Sequence, residues 1–367
     1  MAGEDTEDER NTDEESDERN EEANADRGDL TYAEAGVDID ASEAATAALV
    51  GAASGPGRTG GTDGEDHGDD TGEEYAGLID LGGTYLGLAT DGVGTKLLVA
   101  EALGEYSTIG IDCIAMNVND LVAAGIGPVA FVDYLAVAEP DEGVAAAVGE
   151  GLSAGAEEAE IELVGGETAV MPEVVRNLDL AGTCAGFASG EQLFPGEAQV
   201  GDVLVGFRSS GIHSNGLTLA RQAATREHDY GDPSPEASER EGGTERTIGE
   251  ALLEPTRIYT RLLEPLREHD THAAAHVTGG GWGNLARMGS YRYAIRRAFD
   301  PQPVFAFVQD QGSVSDEEMY STFNMGTGFV AALPPRDAER VCAETDGREI
   351  GRVEEGSGVA VGGVTIE

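Results

Sequence analysis

The sequence predicts an α/β (α+β) chain built as two domains with a sheet in each, and three observations carry that reading. A length of 367 residues exceeds one ordinary core. An apolar content of 40% is enough to fill two. Short apolar runs also alternate with runs of helical period, and the pattern restarts after Gly190. The expected layout is an acidic tail over 1–28, a first domain over 29–189 and a second over 190–367.

The elements follow in order. Residues 1–28 carry 13 acids and 3 arginines with almost nothing apolar, which predicts a disordered tail. A short helix is expected from Ser42 to Ala53, then a mobile acidic loop over 54–74. Thr84 to Thr90 reads as a strand running into Asp91. Thr108 to Gly125 reads as a helix, because Ile111, Ile114, Ala115, Val118, Leu121 and Val122 recur at helical spacing. Val129 to Val137 is a strand, and Asp141 to Glu160 an Ala-rich helix with Pro140 before it. Glu162 to Val164 is expected to end in a loop, Gly165-Gly166-Glu167-Thr168, before a strand over Leu178 to Ala188.

In the second half, a strand over Val203 to Phe207 meets a loop at Ser209 to Gly216 and a helix reaching Arg226. A polar stretch, Asp229 to Thr247, precedes a helix over Ile248 to Glu268 that Pro255 and Pro265 bend or divide. The strand Ala273 to Val277 runs into Thr278-Gly279-Gly280-Gly281 and a helix. A helix over Asp316 to Phe323, a strand over Gly326 to Leu333, a helix over Pro335 to Thr345 and a hairpin complete the chain.

The formal charge of −49 comes from 71 acids against 22 bases. Repulsion on that scale destabilises a compact chain unless salt screens it, so the composition predicts a salt-adapted protein. It also argues against nucleic acid or an anionic membrane as partners. No apolar run approaches the roughly 18 residues of a membrane span, and the acidic start is no secretory signal, so a cytoplasmic location is expected. Cys113, Cys184 and Cys342 are odd in number and widely spaced, which argues against a disulfide framework or a zinc site. All but one of the 22 bases are arginine, and the exception is Lys96. A chain that keeps one lysine keeps a compact ammonium where a planar guanidinium would not serve.

Lys96 closes the segment Asp91-Gly92-Val93-Gly94-Thr95-Lys96 at a strand end. Its glycines let backbone N–H groups approach an anion, Lys96 offers a point charge and Thr95 a hydroxyl. Asp91 has the chemistry of a Mg²⁺ ligand. The Walker A spacing is absent, so phosphate binding and an ordinary tight turn both fit. On the next helix Asp112, Asn119 and Asp120 fall on one side among apolar neighbours, and buried carboxylates need a partner such as Mg²⁺. Asp120 is the first choice for that role and Asp112 the second. Two further strand ends repeat the theme, Gly165 to Thr168 and Ser210-Gly211-Ile212-His213-Ser214-Asn215-Gly216. In the latter, Ser214 or Asn215 suits a helix cap, and an exposed His213 would be either structural or an acid–base or phosphate contact.

Taken with Thr278 to Gly281, these loops give the chain a clear likeness. It resembles the phosphoribosylformylglycinamidine cyclo-ligase (aminoimidazole ribonucleotide synthetase) family from Leu30 nearly to its end. The matching stretches are Leu30-Thr31-Tyr32 through Ala35 to Asp40, Asp91 to Lys96, and Ile109 to Asp112 through Asn119-Asp120-Leu121. They continue with Gly165 to Ala169 and Met171-Pro172, Ser209 to Gly216, Ala275-His276 through Gly281, and Met319-Tyr320 through Thr322-Phe323-Asn324 with Gly326. The resemblance implies homodimers whose N-terminal domains join in a β-barrel with flanking helices, beside a mixed-sheet α+β C-terminal domain. It implies ATP and Mg²⁺ as cofactors, with a potassium requirement left open. It also implies activation of an amide oxygen of formylglycinamidine ribonucleotide by phosphorylation, then ring closure by a nitrogen of the same molecule.

By that match Asp91, Gly92, Gly94, Thr95, Lys96, Asn119 and Gly165, Gly166, Glu167, Thr168 fall to the nucleotide, and Asp91, Asp120 and Asp112 to the metal. Ser210, Gly211, His213, Ser214, Asn215, Gly279 and Gly280 fall to the nucleotide-like substrate, with His213, Lys96 and Asp91 as catalytic candidates. Where many members carry a Gly-rich, Phe-containing loop, this chain has Ser54 to Glu74 and then Gly82-Gly83. Met325 stands where relatives can have cysteine, and the tail 1–28 lies outside the family pattern. The rivals are other members of the superfamily, such as selenophosphate synthetase, and a non-catalytic nucleotide-sensing dimer. The first usually carries Cys or selenocysteine in its early Gly-rich loop, and this chain has no cysteine before Cys113.

Overall fold

The computed structural model describes residues 29–37, 76–234 and 246–367, together with helical positions 41, 42, 44–46, 48 and 49. The expected tail, the acidic loop 54–74 and the end of the short helix that precedes it lie outside the described residues. Two sheets organise the rest. The first has five strands in the order β1-β2-β5-β3-β4, comprising β1 (Gly77–Asp80), β2 (Thr84–Gly92), β3 (Gly127–Val137), β4 (Glu162–Val170) and β5 (Leu178–Ser189). Its pairings are antiparallel except β3 with β4. Period-2 patterning gives it two unlike faces. Ala89, Phe131, Leu180 and Cys184 point inward, and Ile79, Leu88, Val132, Tyr134 and Phe187 lie exposed on the other side.

The inner face packs on α2 (Ile109–Ala123), which follows the short α1 (Leu97–Leu103). This helix is buried nearly all round, so tertiary packing and not amphipathicity holds it. Next to it lies α3 (Glu142–Ala159), N-capped by the Asp141 side chain, which accepts from the Val144 N–H. The two helices approach closely because Gly110 and Gly151 meet there. A Cβ on Gly110 would collide with the Leu152 nitrogen.

The second sheet has seven strands in the order β12-β11-β8-β10-β6-β9-β7. They are β6 (Val203–Arg208), β7 (Ala273–His276), β8 (Arg292–Ile295), β9 (Thr327–Leu333), β10 (Arg348–Glu354), β11 (Val359–Val361) and β12 (Val364–Ile366). Helices α8 (Asp316–Thr322) and α9 (Pro335–Glu344) pack against it, and α4 (Leu217–Ala224) and α7 (Pro303–Gly312) pack on each other. The expected helix over Ile248 to Glu268 is divided. It becomes α5 (Ile248–Leu252), an irregular run with Pro255, a single 3₁₀ turn over Thr260–Leu262 and α6 (Leu263–Arg267). The helix expected after Gly281 is a 3₁₀ helix over Gly281–Met288. Strand β8 and helix α7 have no counterpart among the elements expected from sequence. One apolar cluster runs from the first sheet through α2 to α4, α5 and α7, so the two halves share a core.

Candidate active site

The site forms where α2 of the first half meets loops of the second. Asp91 sits at the end of β2, and its carboxylate oxygen Oδ1 accepts the Gly92 N–H at 2.7 Å. Burial, reinforced by the charge of Asp120 on α2, pushes the Asp91 carboxyl up to about 6. Asp120 is held in turn by His276, the last residue of β7, whose Nδ1 lies 2.9 Å from Asp120 Oδ1. Arg287, on the 3₁₀ helix after the glycine run, is near enough to favour the charged form of Asp91. A carboxylate whose charge is disfavoured by a second one nearby suits a divalent cation. Mg²⁺ reaches proteins through one or two carboxylates and takes its other ligands from phosphate and water. The residues present fit that ion. Among the described residues no group of three or more His, Cys, Asp or Glu side chains forms a fuller cage.

Three of the four glycine loops converge here. Ser214 Oγ donates to the Val93 carbonyl at 2.9 Å, and Thr95 Oγ1 lies 2.9 Å from Thr218 Oγ1 at the start of α4. These contacts tie the loop after β6 to Asp91–Lys96. Asn215 and Gly279 face each other, since a Cβ on Gly279 would stand 3.6 Å from Asn215 Oδ1. Thr278 donates its N–H to Asn284 Oδ1 at 2.8 Å, pinning the loop. Gly281 has φ +53, and a Cβ there would collide with the Tyr320 carbonyl oxygen, so only glycine lets the turn pass. Gly94 (φ +68) is exposed, which leaves its backbone N–H within reach of an anion, while the Gly92 N–H is taken by Asp91.

The remaining candidates take other positions. Lys96 is fully buried and does not present its charge to the loops. Its Nζ donates to Asp112 Oδ1 at 2.9 Å and to the Glu254 carbonyl at 2.6 Å, with Asp112 Oδ2 at 2.8 Å. Asp112 is thereby drawn away from metal binding, because Oδ1 also accepts the Thr256 N–H at 2.8 Å and its hydroxyl at 2.6 Å. His213 is enclosed, not exposed: its backbone turns left-handed at φ 67 and buries the ring beside Tyr259. Its Nε2 accepts N–H groups from Ser210 at 3.2 Å and Arg257 at 3.5 Å, so the ring proton sits on Nδ1. Burial first, with the charges of Lys96 and Arg257 adding to it, keeps it neutral with a pKa well below the ordinary value.

Gly165, Gly166, Glu167 and Thr168 form no loop after a strand; they lie inside the exposed edge strand β4. The register places Asp91, Gly182, Asp133 and Gly166 in one row across four strands. That row puts Gly166 roughly 14 Å from Asp91 at ordinary strand spacing. Ser210 and Gly211 are engaged within the protein: the Ser210 hydroxyl donates to the Pro255 carbonyl, and Gly211 is buried against Glu254. Gly280 lies over Asn284. Asn119 faces the second half, accepting the Tyr259 N–H at 2.8 Å and donating to the Arg257 carbonyl at 2.9 Å. His276, Arg287 and Thr256 carry the arrangement, and sequence reasoning assigns none of them a role. His276 alone leaves a signal, as a polar end to an Ala-rich strand before three glycines.

Both halves of the chain match known domains. The "AIR synthase related protein, N-terminal domain" matches residues 73–188, and the corresponding C-terminal domain matches residues 199–363. A phosphoribosylformylglycinamidine cyclo-ligase of Methanosarcina acetivorans is 45% identical over 342 residues, covering 92% of this chain and 98% of the relative. One from Thermococcus gammatolerans is 45% identical over 344 residues, covering 90% and 98%. Among solved structures, AaThiL complexed with AMPPCP and TMP superposes with a TM-score of 0.59 at 19% identity, covering 80% of this chain and 89% of that one. Hydrogenase maturation protein HypE in complex with ATP gives 0.53 at 18% identity, covering 79% and 86%. At such identities the structures speak for the fold alone.

Proposed function

The chain belongs to the AIR synthase family, and from that premise we propose that it catalyses the cyclo-ligase reaction, using ATP to close formylglycinamidine ribonucleotide to aminoimidazole ribonucleotide. The observation that carries the reading is the Asp91–Asp120 pair set among three glycine loops, in a chain so close to cyclo-ligases over nearly its full length. In the first step the substrate's amide oxygen attacks the γ-phosphorus of ATP and ADP leaves. A ring nitrogen-to-be then attacks the activated carbon, phosphate departs with the former amide oxygen, and the nitrogen loses its proton.

Asp91 and Asp120 would hold the ion that arrives with ATP; bound Mg²⁺ supplies charge neutralisation at the transferring phosphate. The backbone N–H groups of Gly94 and Thr95 and of Gly279 and Gly280 receive phosphate oxygens, since those of Gly92, Val93 and Gly281 are donated within the protein. Asn215, between those loops, orients substrate. His213 holds the loop after β6 through its two accepted N–H groups. Lys96 and Asp112 lock α2 to the segment that carries Thr256. No covalent enzyme nucleophile is needed.

A second copy of the chain completes the assembly. The outer face of the first sheet exposes Ile79, Leu88, Val132, Tyr134 and Phe187, an apolar surface of the kind monomers cover. Two such faces closing on each other give the barrel that the family resemblance implies. Among the described residues no helix is long and apolar enough to cross a membrane.

The test is ADP release in concentrated KCl with and without formylglycinamidine ribonucleotide. Release that depends on that substrate, and that Asp91→Asn abolishes, is the expected result. ATP binding without substrate-dependent release would overturn the reading in favour of a nucleotide sensor.

A further inference from the structure

His276 is fully buried, yet it touches the one candidate metal ligand that comes from a helix. Its surroundings fix its chemistry atom by atom. Asn119 Oδ1 accepts the Tyr259 N–H at 2.8 Å, which settles which way that amide points. Asn119 Nδ2 therefore carries the donors, one toward the Arg257 carbonyl at 2.9 Å and one toward His276 Nε2 at 3.4 Å. A nitrogen facing a donor must accept, so the imidazole proton sits on Nδ1. That N–H points at Asp120 Oδ1, 2.9 Å away. One Asp120 oxygen is thus occupied, and the other is aimed by the same bond. The Tyr259 ring, edge-on to the imidazole with centroids 6.4 Å apart, stops the ring turning.

We infer that His276 is a positioning residue that, with Asn119, sets the orientation of the Asp120 carboxylate so that its second oxygen meets the divalent ion accompanying ATP. The inference rests on the reading of Asp91 and Asp120 as the ion's ligands. It explains why a polar ring closes β7, a strand otherwise of alanines. A carboxylate held at one oxygen by an N–H donor loses its rotation. Outer-layer partners of metal ligands typically change metal affinity by about 10–100-fold.

The experiment measures Mn²⁺ affinity by electron paramagnetic resonance on the full chain with ADP bound, in concentrated KCl to suppress ions on the acidic surface. ADP affinity without metal and the thermal midpoint are recorded alongside. His276→Ala is expected to weaken Mn²⁺ about tenfold or more, leaving metal-free ADP affinity unchanged. His276→Asn, which returns an amide N–H near the position of Nδ1, is expected to recover most of the loss. His276→Gln carries its amide one bond further out, toward the position of Nε2, and leaves no N–H at the position of Nδ1 for Asp120. It should weaken Mn²⁺ as His276→Ala does, and it keeps the test open if the alanine variant does not fold. Mn²⁺ affinity within about twofold of wild type in folded His276→Ala or His276→Gln overturns the inference, as does a His276→Asn variant no better than alanine. Substrate-dependent turnover of the wild-type protein tests the cyclo-ligase reading separately, so the two failures are distinguishable.

Discussion

Replacing Lys96 by methionine removes a charge from a place water does not reach. The ammonium and the Asp112 carboxylate are both at 0% exposure, with Nζ 2.8 Å from Asp112 Oδ2, and the Glu254 carbonyl takes a further hydrogen at 2.6 Å. In Lys96→Met the carboxylate keeps only its bonds from Thr256, and the Glu254 carbonyl loses its donor. Breaking one side of a buried pair costs about 3–5 kcal/mol, roughly a fifth or more of the stability of an ordinary domain. Lys96→Met with Asp112→Asn removes both charges while the amide oxygen still accepts from Thr256, so most of the loss should return. Urea unfolding at constant high KCl reads both values from the midpoint and slope. A loss below about 1 kcal/mol in the single variant, or no recovery in the double, would refute the latch. ATP affinity in the double variant separates two roles for Lys96. A change within about threefold fits the buried latch, and a loss beyond about tenfold would mean that the ammonium swings out to the phosphate.

Other outcomes follow from single features. The Asp91 carboxyl, raised to about 6 from 3.8, binds more protons folded than unfolded between those values, so its contribution to stability falls as pH rises through that window. Metal-free Asp91→Asn should therefore melt higher than wild type above about pH 6, with the gap closing by about pH 4; a gap independent of pH would contradict the burial argument. Phe187→Arg places a charge on the exposed apolar face and should leave a folded monomer by light scattering, whereas an unchanged mass of two chains would remove this face from the interface. With 71 acids against 22 bases, dilution into low-salt buffer should unfold the protein in circular dichroism, and full stability without added salt would sink the salt-adapted reading.

How much of this is legible in the sequence depends on whether the deciding contact is local. The loops at Asp91, Ser209 and Thr278 stand at strand ends in the sequence and in the structure, because glycine next to a β-run is a local signal. The Gly165-Gly166 pair gives the same signal for a different reason. A Cβ on Gly166 would collide with Asp133 Oδ1 on the neighbouring strand, so this glycine makes room for a carboxylate and the strand runs on through it. Only pairing across the sheet reveals that. The irregular run after α5 reads as a helix bent at Pro255 in the sequence, because the partners that draw it out of helical form are not local. Those partners, Asp112 and Asn119, lie more than a hundred residues earlier.

The helix α2 shows where periodicity stops being informative. Asp112 and Asn119 are seven residues apart, and at about 100° per residue they fall within roughly 20° of each other. Asp120 is turned about a further 100° from Asn119. The sequence places all three on one side, but that turn decides the chemistry: the first two are buried against Thr256 and Tyr259, and Asp120 alone faces Asp91, with 18% of its side chain exposed. The single lysine is legible in the same partial way. A compact ammonium is required at residue 96, because the enclosed space offers Asp112 and the Glu254 carbonyl around one nitrogen, which a planar guanidinium fork would not fit without displacing them. What composition could not say is that the anion it serves belongs to the protein. On the proposed reading, charge reaches a phosphate through the ion that Asp91 and Asp120 would hold, which makes the orientation of Asp120 the point on which the site turns.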